Sequence, residues 1–575
     1  MAEGRMLMLA GQQSCMGSLA GLRGRILCAA ALVAVVVLSS IGAAAEPELR
    51  TVDQGANWTS EARNKFYHQD QGSLVIPLRW ITVLKQPSGT PFMADGLARY
   101  GYLPNEADKA GLPVGFTAVS RRGQVVLGMT CAACHTRQIE VAGTAYRIDG
   151  GPALVDFQSF LSDLDTAVNT VLNDEGAFAE FARAVVGTPP TPPQQAALRQ
   201  QVAEWYERYH ALMDVALPKS SPWGVGRLDA IQMIFDRLTG LDLGPGPSYI
   251  LKANIRPADA PVRYPFLWNA ARQDRTQWLG FAANGNDLFA LSRNLGQVFG
   301  VFGEFHPTKQ PLNLFLGINY WTDNSANLAG LRAAEAAMKQ IGAPRWPWPV
   351  DGALASEGQR MFDQQGGCST CHGTAKSSAR QTWPTPVKVV GTDSRQFELL
   401  NRTAATGVLE GAIVPPFVFP PYVPKRLRQT EDALNILALA VVGSVWEKPS
   451  AVPHILLKPA EIRRIFERPP LGYEARVLYG IWAAAPYLHN GSVPTLTELL
   501  KPAAERESSF KVGPAYDPDK IGLAEEQPRF GSTMNTTDCS DLASGNSRCG
   551  HEGPEYGTTL SEHDKRALIE YLKTL

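Results

Sequence analysis

Two five-residue segments carry the clearest chemistry in the chain: Cys131-Ala132-Ala133-Cys134-His135 and Cys368-Ser369-Thr370-Cys371-His372. Two thiols separated by two residues in a turn reach the two vinyl groups of one porphyrin. The adjacent imidazole then swings under the iron as proximal ligand. With 8 Cys and 9 His in 575 residues, random placement gives on the order of 0.002 such matches. Two matches therefore point to two covalently attached haems c, held by Cys131, Cys134, Cys368 and Cys371, with His135 and His372 as proximal ligands. A zinc site would want a second Cys or His pair at finger-like spacing, and the sequence has none. A thiol-redox CxxC does not need the His that follows.

Four other cysteines remain. Cys15 and Cys28 fall in an N-terminal leader. Arg23 and Arg25 precede an apolar run from Ile26 to Leu38, and Ala43-Ala44-Ala45 precedes Glu46-Pro47. Those are the parts of a secretory signal cleaved near Ala45, with residues 1–45 removed and the mature chain periplasmic or secreted. The run is short of the roughly 20 residues a spanning helix needs. Cys539 and Cys549 close a polar, Gly/Ser-rich loop and are expected to form a disulfide in an oxidising compartment.

The elements around the motifs predict a mainly α chain with two cytochrome c-type haem domains and long loop-rich insertions. Residues 46–340 read as an elaborated first haem domain, 341–350 (IGAPRWPWPV) as a linker, and 351–575 as a second cytochrome c domain. Phe157, Phe160, Leu161, Leu164 and Val168 fall at helical spacing, and Gln195–Val215 is helical in pattern. Ala355, Gly358, Met361 and Phe362 share a helix face just before Cys368. Ser561 caps a final amphipathic helix whose apolar stripe is Leu568, Tyr571, Leu572 and Leu575. The formal net charge of -1 gives no pull toward nucleic acid.

Each iron needs a second axial ligand or an open site. Spacing alone does not pair the remaining His and Met residues with the motifs. His551 lies two residues after Cys549, His489 lies in Ala485-Pro-Tyr-Leu-His-Asn-Gly, and His563 falls in the first turn of the last helix, facing solvent.

Several stretches resemble the di-haem cytochrome c peroxidase superfamily, most closely its rubber oxygenase and di-haem oleate dioxygenase branch. They are KFYHQDQGS around Phe66-Tyr67-His68, LPVGFT at 112–117, TCAACHTRQI with RIDGGP, YPFLWNAARQDRTQWLG at 264–280, and GIWAAAPYLHNGSVPTLTELL at 480–500. The resemblance runs through nearly the whole mature chain. It implies that the His135 haem binds oxygen and does the chemistry, and that His551 closes the His372 haem as a bis-His electron store, with His489 as the alternative. It also implies an inter-haem Trp at Trp268 or Trp278, and an apolar distal pocket from Ala230, Ile231, Met233, Ile234 and Phe281. A calcium ion occurs in some relatives; no residue pattern here supports one.

Three functions follow. The first is a dioxygenase attacking C=C bonds of a hydrophobic substrate such as polyisoprene or an unsaturated fatty acid. The second is a hydrogen peroxide-reducing peroxidase, which needs a distal acid/base and a small redox donor protein. The third is a non-catalytic electron carrier.

Overall fold

The second Cys-x-x-Cys-His motif is framed by helices, for reasons local to the sequence. Asp351 accepts hydrogen bonds from the Ala353 and Leu354 amides and starts the helix Gly352–Asp363. Ser561 accepts from the Asp564 amide and starts the last helix, Glu562–Thr574. Each cap satisfies amide donors that a helix start leaves without partners. The two helices cross with Phe362 against Tyr571 at 5.2 Å. Ala355, Phe362, Leu568 and Leu572 are buried between and beneath them. The short helix Ser369–His372 follows directly.

The first motif is framed by β-hairpins. Phe116–Arg121 pairs with Gln124–Met129, and Thr136–Val141 pairs with Thr144–Asp149. Both turns hold two residues at positive φ, Arg122-Gly123 and Ala142-Gly143, the conformation that matches the twist of a tight hairpin. Between the hairpins the Thr130 side chain accepts from the Ala132 amide and sets the turn Cys131–Ala133. Gly115 passes so close that a Cβ there would lie 2.0 Å from the Ala133 nitrogen, at φ +83°.

The computed structural model describes residues 47–313, 315–364, 367–373, 382–416, 423–449 and 458–575. The expected signal segment, 1–45, lies outside them. Leu49–Leu575 forms one compact unit, with three hydrophobic cores. The helices Phe157–Asn173, Glu175–Val186 and Pro192–Ala216 cover one side of the first motif. A second group joins Ala230–Phe235, Asp287–Gly300 and Ala433–Trp446. The last of these is buried from Ala433 to Val445 and apolar all round, as a core helix must be. Ala230–Phe235 runs on into a π-helical turn, Asp236–Leu241. The 341–350 segment packs Trp346 and Trp348 on Trp482, at 5.4 and 5.8 Å. Among the described residues, no helix is long and apolar enough to cross a membrane.

The expectation of a mainly α chain is corrected. Among the described residues, strands recur along the whole length and pair into many two- and three-stranded sheets. Part of the cause is local: chain returns such as Arg122-Gly123 and Ala142-Gly143 leave two extended arms that satisfy one another's amides, while other pairs, such as Val387–Lys388 with Tyr473–Glu474, join segments far apart in the chain.

Candidate functional site

His135 and His372 are held in the same way. His135 Nδ1 donates to the Pro265 carbonyl at 2.9 Å, and His372 Nδ1 donates to the Arg476 carbonyl at 2.7 Å. A backbone acceptor on one ring nitrogen fixes the tautomer and leaves the other free as a metal ligand. Burial, above all, holds His135 down to about 4; the Pro265 carbonyl opposes this and the Arg476 charge adds to it. Burial also lowers His372, against its carbonyl partner. Both imidazoles are thus neutral near pH 7, the form that binds a metal.

Each motif opens on a cavity. The first, with about 1470 Å³ of empty space, is lined by Cys131, Cys134 and His135; the second, about 1740 Å³, by Cys368, Cys371 and His372. Neither CxxC pair forms a disulfide. Both thiols of each pair therefore face the same space as the imidazole that follows them.

The walls differ. The second cavity is lined by three imidazoles, of His372, His489 and His551. The His551 ring lies 6.3 Å from the His372 ring, centroid to centroid. Two imidazoles on one metal at about 2 Å each, with about 1 Å more from each nitrogen to its ring centre, stand roughly 6 Å apart. His551 is carried by a loop with little freedom. The Cys539–Cys549 disulfide forms beside it, with Cα atoms 5.4 Å apart. Gly550 sits so close to the 391–392 backbone that a Cβ would lie 2.3 Å from the Thr392 nitrogen. The His551 amide donates to the Val390 carbonyl at 2.7 Å. The buried Arg506 guanidinium donates to the carbonyls of Arg548, Gly550 and His551. Burial first, then the charges of His372 and Arg506, lower His551 to about 3. His489 is lowered to about 3 by burial and by Arg263, and its ring stacks on Tyr473 at 3.6 Å. His563 is exposed and pairs with Glu357 at 2.8 Å.

The first cavity has one imidazole in its lining, that of His135. Its walls include Phe157, Leu212, Val298, Phe302 and the thioethers of Met129, Met233 and Met338. Among the described residues its one lining carboxyl is Glu474, which accepts from Gln273 at 3.1 Å and lies 3.6 Å from the Arg476 guanidinium. Ile234, Gln277, Arg293 and Gln297 line both this cavity and an apolar annex of about 620 Å³, whose far wall is Leu434, Leu437, Ala438 and Val441.

Of the residues expected in a distal pocket, Ala230, Met233 and Ile234 line the first cavity. Phe281 lines the annex, and Ile231 lies in the core beside it. Trp278 lines the second cavity, its Nε1 donating to the Arg263 carbonyl at 2.9 Å. Trp268 is fully buried behind both, stacked on Phe266 at 4.7 Å. Tyr67 and Asp149, from two of the singled-out stretches, meet at 2.6 Å; Trp58 and Arg63 also donate to Asp149. That knot ties the helix Ser60–His68 to the hairpin after His135. Gln71, which donates to Cys131 Sγ at 3.3 Å, and Phe266 fall within quoted stretches without having been singled out; Glu474 and Arg476, which with Phe266 line both cavities, fall outside them.

The residues present fit haem c at both motifs. Thiols and a neutral imidazole face one cavity in each case. The Nη1 atoms of Arg263 and Arg476 are buried with no partner among the described residues, as cationic groups set to receive carboxylates such as those haem carries would be. Among the described residues, no cluster of three or more His, Cys, Asp or Glu gathers as a separate metal site.

Comparison with known proteins adds three findings. Residues 472–511, which hold Glu474, Arg476 and His489, match a family described as RoxA-like, cytochrome c-like. The chain is 31% identical to the uncharacterized protein y4iJ of Sinorhizobium fredii, over 96% of this chain and 98% of that one. It is 26% identical to the uncharacterized protein y4iM of the same organism, over 54% of this chain and 63% of that one.

Proposed function

Because this chain belongs to the RoxA-like, cytochrome c-like family, in which a cytochrome c-like domain implies covalently bound haem c, we propose that it is an exported di-haem dioxygenase. Its substrate is a hydrophobic compound with a C=C bond, an unsaturated fatty acid or a polyisoprene. Dioxygen adds across the double bond, the C=C and O–O bonds break, and two carbonyl products each keep one oxygen atom. No outside electron donor is needed for that balance.

A haem at the first motif supplies an iron centre for oxygen chemistry. His135, a neutral imidazole fixed by the Pro265 carbonyl, would hold it. The observation that carries the reading is the lining of that cavity: apolar and thioether side chains predominate, and Ile234, Gln277, Arg293 and Gln297 are shared with the annex, whose lining adds Leu434, Leu437, Ala438 and Val441. Such a surface binds a hydrocarbon chain by excluding water. Peroxide cleavage wants a free acid/base beside the reacting oxygen, and the one carboxyl in the lining is tied to Gln273 and Arg476. At the second motif His372 and His551 would hold a haem, with His489 in the same lining, and the group would supply electron storage.

The test is incubation of the reduced holoprotein with oleate or polyisoprene under ¹⁸O₂, with mass spectrometry of the products. Cleaved carbonyls labelled at both ends support the reading. Unlabelled substrate, with rapid hydrogen peroxide turnover at the expense of a reduced small cytochrome, would replace it with the peroxidase. Two low-spin haems that bind neither CO nor substrate would leave the electron carrier.

A further inference from the structure

The two cavities share three lining residues, Phe266, Glu474 and Arg476. Their arrangement joins the two proximal imidazoles. The carbonyl that accepts from His135 belongs to Pro265, next in the chain to Phe266; the carbonyl that accepts from His372 is that of Arg476 itself. Across the gap, the Arg476 guanidinium lies over the Phe266 ring at 4.0 Å from its centre, and Trp268 backs the ring from behind.

The guanidinium is fixed. Nε and Nη2 both donate to Gln273 Oε1, at 3.1 and 2.7 Å, and Gln273 in turn donates to Glu474. Both charged side chains are more than nine-tenths buried, so water screens them little. Nη1 has no partner among the described residues. A cation held beside an iron centre stabilises its reduced form, which carries one positive charge fewer. One cation in a wall common to two such centres acts on both.

We propose that Arg476 is a shared tuning charge: a single buried guanidinium, stacked on Phe266 between the two cavities, that raises the reduction potentials of both haems together. The proposal rests on the reading that each motif carries a haem. Its function is to shift both centres by a common amount, so that the difference between them is left to the rest of each wall.

The experiment is a spectroelectrochemical titration of the full-length holoprotein, with each haem followed by its own bands. Covalent haem content is measured first. A wild-type protein with fewer than two haems refutes the di-haem reading and leaves nothing to titrate at the missing site. With two haems present, Arg476→Gln should lower both midpoint potentials. Each reduction equilibrium should change about tenfold, which for one electron is about 59 mV. Arg476→Lys keeps the charge and should hold both potentials near wild type. Arg263 lines only the second cavity, so Arg263→Gln should move only the second haem. If Arg476→Gln does not yield holoprotein because it strands the Glu474 carboxylate, the comparison is Glu474→Gln against Glu474→Gln with Arg476→Gln, and both potentials should again fall. A shift confined to one haem, no shift in either, or a loss in Arg476→Lys as large as in Arg476→Gln overturns the proposal.

Discussion

The two Cys-x-x-Cys-His segments share a five-residue pattern and a way of holding the proximal imidazole, yet they sit in different surroundings. The second lies between helices and faces two further imidazoles, one of them on a loop pinned by a disulfide, a glycine contact and Arg506. The first lies between hairpins and faces a largely apolar wall that continues into an annex. The motif decides that a haem is attached. What the chain places on the other side decides what the iron does, because a filled sixth position favours electron transfer and an open one favours ligand chemistry.

The largest expected effect comes from removing one pair of thiols at a time. Cys131→Ser with Cys134→Ser, and separately Cys368→Ser with Cys371→Ser, should each cut covalent haem from two to one by intact-mass measurement. Only the first pair should also abolish CO binding. If both double variants lose CO binding alike, the two sites are not distinct in the way their walls suggest.

Next is the closing ligand. His551→Ala should convert the second haem from low to high spin in electron paramagnetic resonance, while His489→Ala leaves it low-spin. The reverse result would hand the role to His489. A smaller effect is expected in the annex. Ala438→Leu adds bulk to a residue that lines the annex and should reduce kcat/KM for a long-chain substrate about tenfold, near 1.4 kcal/mol, with CO binding unchanged. An unaltered kcat/KM would detach the annex from substrate binding.

A separate effect, on stability rather than on turnover, concerns pH. Asp229 starts the helix Ala230–Phe235 in the first wall and accepts from the Gln232 and Ala260 amides. Burial lifts its carboxyl to about 7, against those two hydrogen bonds. Below about pH 4 it is protonated folded and unfolded. Between about 4 and 7 the unfolded chain gives up the proton first, so stability falls as pH rises, by on the order of 4 kcal/mol in all. Asp229→Asn should flatten that slope in thermal melts. A slope equal to wild type would mean the carboxyl is ionised in the folded wall.

Much of the second region was legible in the sequence. Its helix stripe, Ser561 cap, CxxCH and Cys539/Cys549 pair are all local patterns, and local patterns report local geometry. The hairpins of the first region were legible in principle. Arg122-Gly123 and Ala142-Gly143 between β-branched arms are turn signals, but neither is the Asn-Gly or Asp-Gly pair that makes such turns conspicuous. The shared wall was not legible. Phe266 and Arg476 are 210 residues apart, and nothing in either neighbourhood says that a guanidinium will lie on that ring. The resemblance points to Trp268 or Trp278; Phe266, two residues before the first of these, is the one that lines both cavities.

The disulfide beside His551 has a consequence for how the chain matures. Residues 46–575 carry six cysteines, and on the proposed function they need opposite treatment. Cys539 and Cys549 form a disulfide, while Cys131, Cys134, Cys368 and Cys371 would have to stay reduced for each pair to take up a porphyrin. Loop length does not sort them. The disulfide spans 10 residues, and the CxxC pairs are closer still, so ring closure on entropy alone favours the wrong bonds at least as much. Sorting therefore falls to timing: porphyrin capture has to outrun the oxidant at four sulfurs and lose to it at two. A cell too oxidising would yield chains with closed CxxC rings and no haem. One too reducing would yield chains with haem but a loose sixth ligand.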